Sequence, residues 1–449
     1  MKHVRETSSL QPATDPGAAG LLQQRPFRMF CYTRFFSRVA QNAVNFALVL
    51  LIVDETGLAF MSSLMVLALV VPATVTGIVA GATADVVPKR LLVFAGNLAR
   101  AAVCLVVVRW GTGTATLYGV ALAMAAVQQF ATAAEGSMLP LIVARSELAR
   151  ANAIGQAVGG AAQLVGLGIL TPVVLRLFDS PEVLFGIALI LFAIAGFVAP
   201  AIGRLQRVER IEIGGDQVGP WWSAGWRAMK ADPAVMQAAV ELALISMTLI
   251  ILGGLIPAYI SDTLGLPFDA GAVILLPAVV GVALGLRVAA FLAHRVPHAL
   301  LSTVGFCVFV STVMLLTFVN PEASFLAGYK VFAWLDSVNI GSFDQGGVLA
   351  MGLMFPAGFA FAIVNVAGQT VINDRVPLQL QGRVAATQGA MAAAAASVPV
   401  VAAGLLADAV GVTPVMAIVA GGVGLAAVAN LRAPHLRGQD QARPQGWPH

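Results

Sequence analysis

Residues 81–90 read GATADVVPKR, which sets a glycine, an aspartate and a Lys-Arg pair within ten positions. Apolar runs lie on both sides, so the stretch is a brief polar lapse between two hydrophobic segments. Whether it is a plain turn or a site depends on what those segments are.

Across the 449 residues, 59% are hydrophobic and only 11% charged. A soluble domain carries about 25% charged residues, so most of this surface must face lipid. A hydrocarbon core of roughly 30 Å is crossed by about 20 apolar residues of helix. On that length scale the chain holds twelve spans, near 28–53, 59–84, 90–109, 115–143, 148–176, 182–203, 236–261, 269–293, 298–319, 347–373, 381–409 and 412–431. GATADVVPKR closes the second and leads into the third.

Six spans precede the polar segment 204–235 and six follow it. The expected organisation is a disordered tail (1–26), a six-helix bundle (27–203), a linker (204–235), a second bundle (236–431) and a tail (432–449). Within the linker, PWWSAGWRAMKADP (220–233) spaces Trp221, Trp222, Trp226 and Met229 as a helix would, which suits a helix lying in the membrane interface. Segment 320–346 is long for a loop; it caps the outer mouth or rests on the membrane surface. Small residues crowd 155–168 and 390–404, where helix backbones can approach closely.

Lysine and arginine set the orientation, because they are enriched in cytoplasmic loops. With the N-terminus inside, nineteen of the 26 fall on the inner side and four within spans. The three left for the outer side are Arg109, Arg176 and Lys330. The expectation is a multi-pass, monomeric protein of the cytoplasmic (inner) membrane with both termini in the cytoplasm. The N-terminal stretch has no apolar signal core.

Several chemistries find no support. Cys31, Cys104 and Cys307 are scattered, and His294 and His298 have no nearby acidic or cysteine partner, so no metal site or disulfide framework is expected. Phosphate-cradling loops and nucleophile elbows are missing, and a net charge of +4 is too small to argue for nucleic acid. No cofactor, enzymatic activity or direct ATP drive is expected.

Charged groups inside spans cost roughly 3 kcal/mol each on insertion scales, so each is a functional candidate. In the first span, Arg34, Arg38, Gln41 and Asn45 recur at i, i+4, i+7 and i+11, which places them on one helix face. Arg38, Arg100 in the third span and Glu135 in the fourth come out at similar depths, roughly 15 Å from the cytoplasmic side. Glu135 is then the carboxylate able to neutralise Arg38 or Arg100. It serves either as half of a static ion pair or as a group that exchanges a proton or a cationic substrate. Glu241 falls at the start of the seventh span, read as an interfacial helix-start residue or as a coupling group. Asn365 and Gln369 sit four apart in the tenth, where they bond a substrate or a neighbouring helix.

The opening stretch resembles the signature of the major facilitator superfamily, Gly-x-x-x-Asp-x-x-Gly-(Arg/Lys)-(Arg/Lys). Gly81, Asp85, Lys89 and Arg90 match, Pro88 stands in place of the second glycine and Val86 where a basic residue is common. Its position between spans two and three, on the positive side, agrees. GLLADAVG (404–411) looks like a second Gly-x-x-x-Asp element at the outer end of span eleven. SMLPLIVARSELARANAI (137–154) and QTVINDRVPLQLQGRVAA (369–386) resemble the efflux branch that includes macrolide and siderophore exporters. The resemblance covers about residues 27–430.

It implies an all-α integral membrane protein of twelve transmembrane helices in two pseudo-symmetric six-helix bundles, with a cavity opening alternately to each side. It also implies that Asp85, with Lys89 and Arg90 beside it, ties the inner ends of the bundles together by facing a helix N-terminus. The expected function is proton-driven export of a small amphipathic compound such as a drug, toxic metabolite or siderophore, a multidrug-resistance type of antiport. Arg34, Gln41, Asn45, Glu241, Asn365 and Gln369 are its candidate cavity residues. Proton-antiporting relatives usually carry an arginine in span four, where this chain has Glu135. An uptake permease of the same fold is the alternative reading, and a transport-inactive membrane sensor a remote one.

Overall fold

The computed structural model describes residues 18–144, 147–178, 180–203, 221–266, 270–292, 295–320, 345–376 and 378–432. The first six long helices are α1 (Arg25–Thr56), α2 (Ala59–Val86), α3 (Lys89–Trp110), α4 (Thr114–Ile142), α5 (Leu148–Gln163, continued through a π-helical Leu164–Leu170 into Thr171–Phe178) and α6 (Pro181–Val198). The second six are α7 (Pro233–Ala258, extended by a π turn, Tyr259–Thr263), α8 (Ala270–Leu292), α9 (His298–Thr317), α10 (Gln345–Arg375), α11 (Leu378–Val410) and α12 (Val412–Arg432). Among the described residues, nine helices are long and apolar enough to cross a bilayer. Ala59–Pro72, Val273–Ala289 and Val412–Ala426 supply shorter apolar stretches within α2, α8 and α12. The fold is an all-helical membrane protein of two six-helix bundles. Helices suit this solvent because each satisfies its own backbone groups without water.

Tight reversals keep consecutive helices antiparallel. Gly57 takes φ 68°, and its N–H closes α1 on Val53 O at 2.6 Å before the chain turns into α2. In α5, Pro172 has no N–H to give to Gly168, and the ladder slips by one residue. Thr171 then bonds the carbonyl of Gly166 through both its N–H and its hydroxyl (2.9 Å). The widened turn seats Gly166 on α1, where a Cβ would stand 2.5 Å from Val39 O. Glycines likewise lock α8 to α10: a Cβ on Gly281 or Gly358 would overlap the backbone of the facing helix at Phe355 or Ala278.

We call the end where α1 begins and α12 finishes basal, and the opposite end distal. The largest apolar cluster is distal and draws on both bundles, from Leu48, Met65 and Phe185 to Ile251, Ala403 and Val415. A small one joining Phe46 and Leu50 to Leu167 and Leu275 is also distal and shared. Towards the basal end each cluster among the described residues stays within one bundle: Phe27, Phe30, Val93 and Met138 in the first, Leu242, Ile372 and Val384 or Ala289 and Ala367 in the second. The bundles are therefore joined by apolar packing distally, and the described basal clusters each belong to one bundle.

Two features differ from the sequence expectation. Residues 1–26 were expected to form a disordered tail, yet Ala18–Gln23 is a short helix whose Leu21 is fully buried with Phe27 and Phe30 of the first bundle. Leucine in that polar stretch finds an apolar base to cover, which a window set for spans does not register. The linker helix, Trp221–Ala231, does form, but its Ala228 and Met229 are buried against α7, α10 and α11. Asp232 then caps α7 by accepting from Ala234 N (2.9 Å) and holds Arg375 at 3.3 Å. The side chains of Trp221 and Trp222, residues 321–344 of the long loop, and residues 1–17, 204–220 and 433–449 lie outside the described residues.

Candidate functional site

The polar stripe of α1 faces α3, α4 and α5, and splits according to what each helix offers. Arg100 of α3 is 0% exposed. Its Nη1 donates to Gln128 and to Gln41 (3.3 Å), and its Nη2 to Ser37 (3.0 Å) and Asn97 (2.8 Å). Its Nε donates to Gly96 O (3.3 Å), and the guanidinium lies 4.7 Å from the Phe192 ring centroid. A guanidinium has five N–H donors, and here all five find acceptors. Each of those acceptors is neutral. Gln41 passes the chain of bonds on to Asn45 (2.7 Å).

Glu135, 4% exposed, goes to Arg38 instead of Arg100: Oε2 stands 3.8 Å from Arg38 Nη2. That is an ion pair without a hydrogen bond, and Oε2 is buried with no hydrogen-bond partner. The Arg38 side chain remains 29% exposed. One turn below, Arg34 lies beside α5, its Nη1 3.9 Å from where a Cβ on Gly155 would stand. Its buried Nε has no hydrogen-bond partner. Among the described residues, the cluster thus gathers Arg34, Arg38 and Arg100 with a single carboxylate, Glu135.

Glu241 was expected at the start of the seventh helix. The helix starts earlier, at Pro233, so Glu241 sits two turns inside, buried, accepting from Gln237 (3.1 Å) and Ser302. The apolar window misplaced the boundary because Asp232 and Pro233, a cap and a helix-opening proline, precede the hydrophobic run. Asn365 and Gln369 of α10 are partly exposed and make no side-chain hydrogen bond among the described residues. The structure does not bond these two amides to the arginine cluster. Nor do the described residues hold any group of three or more His, Cys, Asp or Glu able to bind a metal ion.

The signature stretch ends α2 at the basal side. Lys89 donates to Ala84 O (3.1 Å), placing its charge on the carbonyl end of the helix. Arg90 follows in the first turn of α3; Gly81 and Asp85 lie in the last two turns of α2, their side chains outside the described residues. At the distal end of the same helix the second Gly-x-x-x-Asp element meets it. Asp408 of α11 accepts from the N–H groups of Ala59 (2.8 Å) and Phe60 (3.0 Å), the two leading residues of α2. A carboxylate of the second bundle therefore caps a helix of the first. Gly404, one turn earlier, makes the approach possible: a Cβ there would stand 2.6 Å from Ser63 Oγ and 2.9 Å from Phe60 Cα. Gly254 of α7 lies against Ser63 from the other side, and Ser62 donates to its carbonyl.

The family model of the Major Facilitator Superfamily matches residues 30–356. The chain belongs to the major facilitator superfamily. Solved structures of the same fold include a mutant of the nucleoside transporter NupG (TM-score 0.71, 13% identity, covering 90% of this chain and 99% of that one). A bacterial homologue of the iron transporter ferroportin in an inward-facing state is also similar (TM-score 0.65, 13% identity, 91% and 98%). So is a bacterial homologue of the human lysosomal transporter Spinster, inward-facing and unoccupied (TM-score 0.59, 13% identity, 91% and 95%). At such identities the likeness is one of fold. No curated protein matches the sequence.

For a member of this superfamily, three partners of Arg100 escaped the sequence reading: Ser37, Asn97 and Gln128. A faint signal existed, since Asn97 lies three residues before Arg100 and Gln128 seven before Glu135, each on the same helix face as the charge it accompanies. The target of Asp408 left none, because Ala59 and Phe60 are more than three hundred positions away and act through backbone N–H groups.

Proposed function

We propose that this transporter exports a small amphipathic organic compound by alternating access, driven by the proton gradient. Both termini face the cytoplasm on this reading, so the basal end faces inward and the distal seam is the closed outer gate. The observation that carries the proposal is the uneven placing of interior charge. The arginine cluster with Glu135 lies on α1, α3 and α4, while the second bundle offers Glu241, bonded to Gln237 and Ser302, and the amides Asn365 and Gln369 on helices otherwise rich in Ala, Val, Leu and Gly. A cargo with one polar end and an apolar body matches that division, whereas a small polar nutrient needs groups converging from both bundles. Cells overproducing the protein are expected to accumulate less of one or more amphipathic compounds in a panel, with a protonophore cancelling the difference. Equal accumulation across the panel, or a difference that a protonophore leaves untouched, counts against proton-driven export.

Glu135 is the group proposed to carry the proton. Its bond to Arg38 is long and its Oε2 accepts no hydrogen bond, so proton binding there disrupts little. Glu135→Gln is expected to abolish protonophore-sensitive transport while leaving the protein in the membrane at normal level. Transport with an unchanged pH profile in that variant would restore the static ion pair as the role of Glu135.

A further inference from the structure

The arginine cluster holds more positive charge than its own carboxylate can balance, and the surplus is not evenly placed. Arg100 is fully buried with all five donors bonded, so it has nothing left to offer a ligand. Arg38 is held by Glu135. Arg34 is different: among the described residues it makes no hydrogen bond and no ion pair within 4.0 Å, and although the residue is only partly buried, its Nε is buried without a partner. A cation partly withdrawn from water gains from a partner, and a buried donor left without one costs free energy. Membrane proteins keep such residues where they serve a pathway or a ligand. Arg34 also lies against the glycine-rich α5: its Nη1 is 3.9 Å from where a Cβ on Gly155 would stand, and Gly159 and Gly160, a turn further on, have no atom within 4 Å of where their Cβ would be. Room and unspent hydrogen-bonding capacity coincide on this side of α1.

We infer that Arg34 is the docking point for an anionic group on the cargo, an organic carboxylate or comparable oxyanion, with the apolar body of the cargo lying toward the second bundle. The planar fork of arginine binds a carboxylate with two parallel N–H···O bonds, which supplies both the missing acceptor for Nε and the missing counter-charge. The surplus positive charge at the same time excludes lipophilic cations from this position. The inference rests on the proposed transporter role and specifies the class of compound that the site accepts.

Three compounds sharing one apolar body separate charge from shape: 2-naphthoate, 2-naphthamide and 2-naphthylmethylammonium. Equilibrium dialysis against the purified full-length protein in detergent is expected to show naphthoate binding at least tenfold tighter than the amide, with the ammonium weakest. Arg34→Gln should bring naphthoate down to the level of the amide and leave amide binding unchanged, while Arg34→Lys retains part of the preference. Unliganded Arg34→Gln should melt no lower than the wild type, since it loses an unpaired cation; a clear drop would mark Arg34 as structural and overturn the inference. So would amide or ammonium binding as tightly as naphthoate, no binding by any of the three, or a preference that survives in Arg34→Gln. Everted membrane vesicles keep the two proposals apart. Accumulation of the ammonium or the amide but not of naphthoate overturns the anionic site and leaves export standing. Naphthoate that binds selectively but does not accumulate leaves the site standing and counts against export.

Discussion

Replacing Gly404 with leucine is expected to hold the distal end of the protein open and to reduce transport to background. The four side-chain carbons would enter space occupied by Ser63 and by the backbone of Phe60, which a Cβ alone would already approach to 2.9 Å or less. Overpacking a core costs about 1–3 kcal/mol where side chains can shift, and a backbone cannot step aside as a side chain does. A shift of that size moves a two-state population by about fivefold to a hundredfold. The readout is the distance between spin labels on Leu58→Cys and Val410→Cys, exposed residues at the distal ends of the two bundles, in a background free of the native cysteines. Gly404→Leu should lengthen it. Asp408→Asn should lengthen it in a smaller fraction of molecules, because an N-cap and a charge at a helix N-terminus are together worth about 1–2 kcal/mol. Asp85→Asn, at the other end of α2, is proposed to weaken the opposite closure; it should leave the distal distance short while impairing transport. Unchanged distances in both Gly404→Leu and Asp408→Asn would show that this seam does not govern the distal gate.

The second large effect is expected at Arg100. Arg100→Ala removes five donors at once and leaves the oxygens of Ser37, Gln41, Asn97 and Gln128 facing one another around a cavity. Interhelical hydrogen bonds in membrane proteins average only about 0.6 kcal/mol each, but unsatisfied buried groups add to the loss. A destabilisation of about 2–4 kcal/mol follows, read as a lower melting temperature of the detergent-solubilised protein. Arg100→Lys should fall between: it keeps the charge, but an ammonium has three donors and lacks the planar fork. Because every acceptor is neutral, Arg100→Ala leaves no anion behind, so its effect should vary little with ionic strength. A melting temperature unaffected by Arg100→Ala would show that this network does not hold α1, α3 and α4 together.

Sequence alone determined the membrane solvent, the twelve helices and their order, because an uninterrupted apolar run of about 20 residues in a chain this poor in charge has no other stable resting place. GATADVVPKR pointed to the superfamily, since its residues stand at one defined junction between two such runs. The stripe Arg34, Arg38, Gln41 and Asn45 was legible from helical periodicity, and so were the similar depths of Arg38, Arg100 and Glu135. What periodicity does not hold is partnership across helices. That Glu135 stands by Arg38 while Arg100 is bonded by Ser37, Gln41, Asn97 and Gln128 depends on how α1, α3 and α4 are rotated against one another. Helix rotation in a membrane follows from close packing of small residues, such as Gly166 on Val39 O, and that is a property of two surfaces at once. The contact of Asp408 with Ala59 and Phe60 is the furthest removed from sequence. Its acceptor is a side chain but its donors are backbone N–H groups, which every residue except proline carries, so only the tertiary structure could decide which helix end GLLADAVG would cap.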